Sequence, residues 1–221
     1  MQRLVHSHRR LAIGLAALAG FVDGVGFLSA GGYFVSFMSG NTTRLAVDLA
    51  VEPALAVLPA VLIAGFTCGV FAGALVAMGS ARWQARNVAA FAATLLLAGA
   101  AASVAGSRPL ALAALVLAMG ALNNCFLRGG EGSFGLTYMT GALVRFGQGM
   151  AARLLGREAP ESLGMLALWA ALGGGALLGA AAHQRWGETS IALAAALAWI
   201  AVAGAALAGP EHDGIGHDPE P

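Results

Sequence analysis

Six stretches of this chain, roughly 11–30, 54–79, 88–106, 109–127, 162–182 and 189–208, are apolar over the length that a helix needs to cross a bilayer. The hydrocarbon core is about 30 Å thick and takes about 20 residues of helix. Backbone groups find no water there and must pair within the segment. Between the runs lie short polar islands, among them Arg82-Trp83-Gln84-Ala85-Arg86, Ser107-Arg108-Pro109 and His183-Gln184-Arg185-Trp186. Only 10% of the 221 residues are charged, where a soluble domain carries about 25%. The expected fold class is therefore an all-α polytopic membrane protein with six spans. Pro53 and Pro109 fall at span starts, where a missing N–H costs little, and Pro59 is placed to kink the second span.

Orientation follows from the arginines, since cytoplasmic loops collect positive charge. With the N-terminus inside, Arg3, Arg9, Arg10, Arg82, Arg86, Arg128, Arg145, Arg153 and Arg157 fall on the cytoplasmic side, and Arg44, Arg108 and Arg185 fall outside. Nine against three also puts the C-terminus inside. The start of the chain resembles a signal peptide, with Ala17-Leu18-Ala19 as a cleavage site, but its apolar run continues through Leu28 and reads as a membrane anchor. The acidic tail 210–221 offers almost nothing apolar to bury and is expected to be disordered.

The chain repeats itself. At a spacing of 101, Gly31 matches Gly132, Met38 matches Met139, Gly40 matches Gly141 and Arg44 matches Arg145, with Ser39 opposite Thr140. Arg82-Trp83 meets Arg185-Trp186 at a spacing of 103. The reading is two repeats, 1–106 and 107–209, each with three spans and one polar motif (31–47 and 132–148). Three spans is an odd number, so the second repeat enters the membrane inverted, as in many secondary transporters. If the polar motifs also crossed, the repeats would be parallel and the arginine bias would shrink.

Each polar motif reads as a broken or re-entrant helix. Ser39, Asn41 and Thr42 are expected to cap a new helix, with Thr140 starting its counterpart. Arg44 and Arg145 lie one turn in, placed to lean back toward the helix starts. Helix N-termini attract anions and polar ligands. Asp23 sits near the middle of the first span, a depth at which an acid marks an ion path, a proton site or a salt bridge. Asn123 and Asn124 occupy the equivalent place in the second half. The candidate substrate-binding set is thus Asp23, Ser39, Asn41, Thr42, Arg44, Asn124, Thr140 and Arg145. Capping and snorkelling explain the same residues without a ligand.

Cys68 and Cys125 read as packing residues, and Gly65, Gly69 and Gly73 as a packing stripe. No metal, cofactor or catalytic constellation is expected, and a net charge of +1 predicts no nucleic-acid partner.

The stretch "GFVDGVGFLSAGGYFVSFMSGNTTRL" is similar to the YoaK-type family of bacterial inner-membrane proteins, a domain of unknown function. Gly20, Phe21 and Asp23 match its Gly-Phe-x-Asp stretch; Met38, Gly40, Asn41 and Thr42 match its Met-Thr-Gly-Asn-Thr motif, with Ser39 in place of Thr. The resemblance implies a bacterial inner-membrane location and no particular activity. The sequence points to a small-solute or ion transporter or channel, not an enzyme. Its solute would be anionic or zwitterionic, with Asp23 as the proton-coupling candidate. Its partners would be the lipid bilayer and a second copy, since six spans leave little width for a sealed pathway. The alternative is a non-transporting membrane scaffold, sensor or assembly factor.

Overall fold

A computed structural model describes residues 6–79, 81–125, 139–158 and 162–209. The described residues form eight α-helices: α1 (His6–Ser29), α2 (Met38–Val51), α3 (Val57–Met78), α4 (Gln84–Val104), α5 (Arg108–Leu122), α6 (Met139–Leu154), α7 (Ser162–Trp186) and α8 (Ser190–Ala208). Six of them coincide with the apolar runs; α2 and α6 are built from the polar motifs. Among the described residues, four apolar helical stretches are long enough to cross a bilayer: Arg10–Ser29, Pro53–Met78, Gln84–Val104 and Ser162–Leu207. The last is two helices that turn over Gly187, whose φ of 59° suits glycine. α5 has 15 residues, about 22 Å of helix. Pro59 is the third residue of α3, inside the first turn, so its missing N–H breaks no helical bond and the expected kink has no cause. The tail 210–221 and residues 132–138 of the second motif lie outside the described residues.

Helix directions can be read from which ends meet. Glu188, between α7 and α8, accepts a hydrogen bond from Ser29 Oγ (3.2 Å), pairs with Arg108 Nε (3.3 Å), and offers its carbonyl to Ser103 Oγ (3.4 Å). The ends of α1, α4 and α7 and the starts of α5 and α8 therefore share one face. On the opposite face Gln84 Nε2 donates to the Asn124 carbonyl (2.9 Å), joining the start of α4 to the end of α5. α5 thus runs opposite to α1, and α8 opposite to α4.

The tightest crossings join the two halves of the chain. On α1, Gly20 lies against Leu172 and Ala176, and Gly24 against Ala176 and Ala180; on α7, Gly175 lies against Ala17 and Gly179 against Phe21. Contacts that rise together along both helices mean that α1 and α7 are parallel. The same crossing occurs between α3 and α5: Gly69 lies against Leu117, Gly73 against Ala121, and Gly120 against Phe66 and Val70. Adding 100 to the α1 numbers and 106 to the α3 numbers converts one set of contacts into the other. Burial follows the same shifts: Leu11, Leu15, Ala16, Ala19 and Val22 of α1 are buried, as are Ala111, Leu115, Val116, Met119 and Leu122 of α5.

α3, parallel to α5, starts on the Glu188 face where α1 ends. Residues 30–56 therefore enter and leave on one face, and α2 does not cross.

A Cβ at Gly179 would land on the Phe21 carbonyl. Gly179→Val is expected to lower stability by at least about 1–3 kcal/mol, read as thermal unfolding in detergent, whereas Gly173→Ala, with nothing within 4 Å, is neutral. An unchanged Gly179→Val protein would contradict the crossing. Single cysteines at Arg82 and Arg185 are expected to label from opposite sides of the membrane; labelling from one side would overturn the helix directions.

Candidate functional site

After α1 the chain turns over Gly31 and Gly32 (φ 66° and 96°) and comes back down beside the helix it has just left. Val35 and Ser36 donate their backbone N–H groups to Asp23 Oδ1, at 3.1 and 2.9 Å. Asp23 is six residues before the end of α1, so the chain has re-entered by about 9 Å. Gly26 makes room for it, facing the Val35 side chain. Non-helical backbone at this depth needs protein partners, and one carboxylate oxygen supplies an acceptor for both amides. Asn41 does the same one step earlier: its Oδ1 accepts from Phe34 N–H (2.9 Å) and its Nδ2 donates to Phe34 C=O (2.7 Å). Asn41 is fully buried and Asp23 is 4% exposed.

α2 begins at Met38 with Phe37 as N-cap and no side-chain cap, which corrects the capping expected of Ser39, Asn41 and Thr42. Asn41 is instead committed to Phe34. Thr42 Oγ1 bonds back to the Met38 carbonyl (2.8 Å), and Ser39 is exposed. Arg44 pairs with backbone and ring. Its Nη2 donates to the Gly32 carbonyl (3.0 Å) and its guanidinium lies 5.1 Å from the Tyr33 ring centre.

The start of α2 reaches the start of α6. Phe37 packs against a cluster of Ala16 from α1, Met139 and Ala142 from α6, and Leu172 from α7. Ser39 and Thr140, the second residues of α2 and α6, are both exposed. Arg145, two turns into α6, is exposed as well. Asn124 lies elsewhere: its Nδ2 donates to Val70 (3.0 Å) and Ala121 (3.2 Å), stitching α5 to α3. Of the eight sequence candidates, the structure gathers Asp23 and Asn41 on the re-entrant backbone, sets Ser39 and Thr140 at the converging helix starts, and leaves Asn124 as a packing contact.

Sequence reasoning missed Ser36, Asp48, Gln84 and Glu188. Ser36 is 3% exposed, one residue before the N-cap, and its hydroxyl has no partner of ordinary hydrogen-bond geometry among the described residues. Asp48 accepts from Tyr33 Oη at 2.8 Å. It stands seven residues after Asn41 on the same helical face, a spacing that could have linked them. The carboxylate beside it raises the Tyr33 pKa above its ordinary 10.0, with desolvation adding to the effect. Among the described residues no three His, Cys, Asp or Glu side chains cluster as a metal site.

Residues 11–204 match the family described as protein of unknown function DUF1275. A UPF0700 transmembrane protein of Rhizobium meliloti is 34% identical over 196 residues, 86% of this chain and 85% of the relative. No solved structure matches. The chain belongs to the DUF1275 family of transmembrane proteins.

Asp23→Ala strands two buried N–H groups and is expected to cost about 2–5 kcal/mol, while Asp23→Asn keeps an acceptor oxygen and costs less. Equal unfolding temperatures for the two variants would show that the carboxylate does not hold the segment. The raised Tyr33 pKa means that its contribution is fully present below pH 10 and is lost as pH rises through the folded-state value. Tyr33→Phe is expected to flatten that alkaline loss, measured by unfolding against pH. An unaltered alkaline profile would dissociate Tyr33 from it.

Proposed function

We propose that this protein is a small-solute or ion transporter or channel built from two inverted repeats, 1–106 and 107–209, with its site where α2 and α6 begin. The observation that carries the reading is the re-entrant backbone at Val35 and Ser36, which brings the start of α2 to the start of α6 inside the membrane. Secondary transporters bind where discontinuous helices from two opposed repeats meet near the midplane. The duplicated crossings at constant numbering shifts, with α5 running opposite to α1, support inversion.

Helix starts carry partial positive charge, so the favoured solute is anionic or zwitterionic. Ser36, Ser39 and Thr140 supply hydroxyls beside the helix starts. Asp23 supplies the candidate coupling proton: protonation would weaken its hold on the Val35 and Ser36 amides and loosen the segment at the site. On the Glu188 face the Arg108–Glu188 pair stands at a small cavity of about 200 Å³ and acts as the outer closure. The family resemblance favours the bacterial inner membrane, and the arginine bias favours cytoplasmic termini with the Gln84 face inside. The protein works as a carrier, not an enzyme, in the lipid bilayer, and a second copy completes the seal around the pathway.

A non-transporting scaffold, sensor or assembly factor is favoured by one observation: Asp23, Asn41 and Arg44 all bond backbone of residues 32–36. The two readings separate by mass action, because only a site stabilises the fold when its solute is added, by about 2.7 kcal/mol at 100 times Kd. A panel of inorganic anions, carboxylates and amino acids is expected to contain a solute that raises the unfolding temperature of the wild type and leaves the Ser39→Ala/Thr140→Val variant unmoved. The same solute should cross proteoliposome membranes only when the protein is present. A panel without any stabilising solute would put the scaffold ahead.

A further inference from the structure

α7 and α8 are joined by a three-residue turn, yet they barely touch. The corresponding pair α3 and α4 is more closely packed. The cause is visible at the shift of 106: Gly174, Ala201 and Gly204 stand where the first half has Cys68, Leu95 and Ala98. Between α1, α7 and α8 this leaves a cavity of about 800 Å³. Its walls are almost entirely apolar, and Gly14, Gly174 and Gly204 each face open space. Among the described residues its one charged lining residue is Arg10, near the start of α1, on the Gln84 face.

We infer that this cavity is a phospholipid site, taking an acyl chain between α1, α7 and α8 with the lipid phosphate on Arg10. Depth is the first argument. The α1 lining runs from Arg10 to Phe21, about 16 Å of helix, and the α8 lining from Leu207 to Leu197, about 15 Å. Either length is about half of a 30 Å hydrocarbon core, the depth of one leaflet. Charge is the second argument: Arg10 sits at the interfacial end, where basic pockets between membrane helices hold anionic headgroups. A helix from a second copy fits less well, because a cavity that stops at Phe21 does not receive a helix along its length. The site does not depend on whether the protein transports.

The test is native mass spectrometry of the full chain in mild detergent, titrated with dioleoyl phosphatidylglycerol and, separately, dioleoyl phosphatidylcholine. Wild type is expected to hold one phosphatidylglycerol about fivefold more tightly than phosphatidylcholine, and Arg10→Gln to bind the two alike. Gly174→Leu/Gly204→Leu fills the cavity and is expected to lose the bound lipid while unfolding at or above the wild-type temperature. Lipid binding that survives the filled cavity with unchanged affinity would overturn the proposal. So would a wild-type dimer that the filled cavity splits into monomers, since the occupant would then be a second copy. If the double variant unfolds early, Gly14→Ile, also facing open space, repeats the measurement from α1.

Discussion

Backbone lying against backbone at the α1–α7 and α3–α5 crossings is the contact on which the rest of this protein depends. Lipid tails are as apolar as leucine, so membrane helices gain little from hiding side chains from lipid and must gain from close packing instead. Gly20, Gly24, Gly175 and Gly179 remove the side chains that would hold α1 and α7 apart, and Gly69, Gly73 and Gly120 do so for α3 and α5. Each crossing joins a helix from the first half to one from the second. The halves are interlocked, and neither stands as a separate domain. With those pairs fixed, α4 and α8 pack against one another and against their partners' flanks, and the space into which residues 33–37 descend is set.

That descent makes a problem that polar side chains solve. Once backbone leaves the helix inside a membrane, its amides and carbonyls require partners. Asp23 accepts two amides and Asn41 pairs both groups of Phe34, so a charge and an amide that look in sequence like ligand contacts serve first as partners for the chain itself. This changes how the motif is read. Asp23 and Asn41 are committed to the segment itself, while Ser39 and Thr140 stand exposed at the two helix starts.

The two sets of crossings are not exact counterparts. α1 has 24 residues and α5 has 15. Where Asp23 binds the re-entrant segment, the neighbouring Asn124 binds α3 instead. The α3–α4 pair is closed, while its counterpart α7–α8 opens around glycines. The two sets of crossings thus differ by single residues: Asp23 lies buried on α1, and an apolar cavity opens between α1, α7 and α8.

The sequence by itself determined the helices. Apolar length marked six of them within a few residues, because crossing hydrocarbon dictates it, and the polar motifs marked the other two. It singled out Asp23 because an acid is costly at depth, and Asn41 as a polar group at a helix start. Only the tertiary structure decided what those groups bind. Capping was the reasonable expectation for Ser39, Asn41 and Thr42, but a cap is a local bond and Asn41 makes a different one, to a segment that folds back seven residues before it. Arg44 turned to Gly32 and Tyr33 for the same reason. Gln84 and Glu188 gave no signal, because their partners lie 40 to 159 residues away and no periodicity links them. Partners across the fold depend on which helices cross, and that is fixed by packing that no local pattern records.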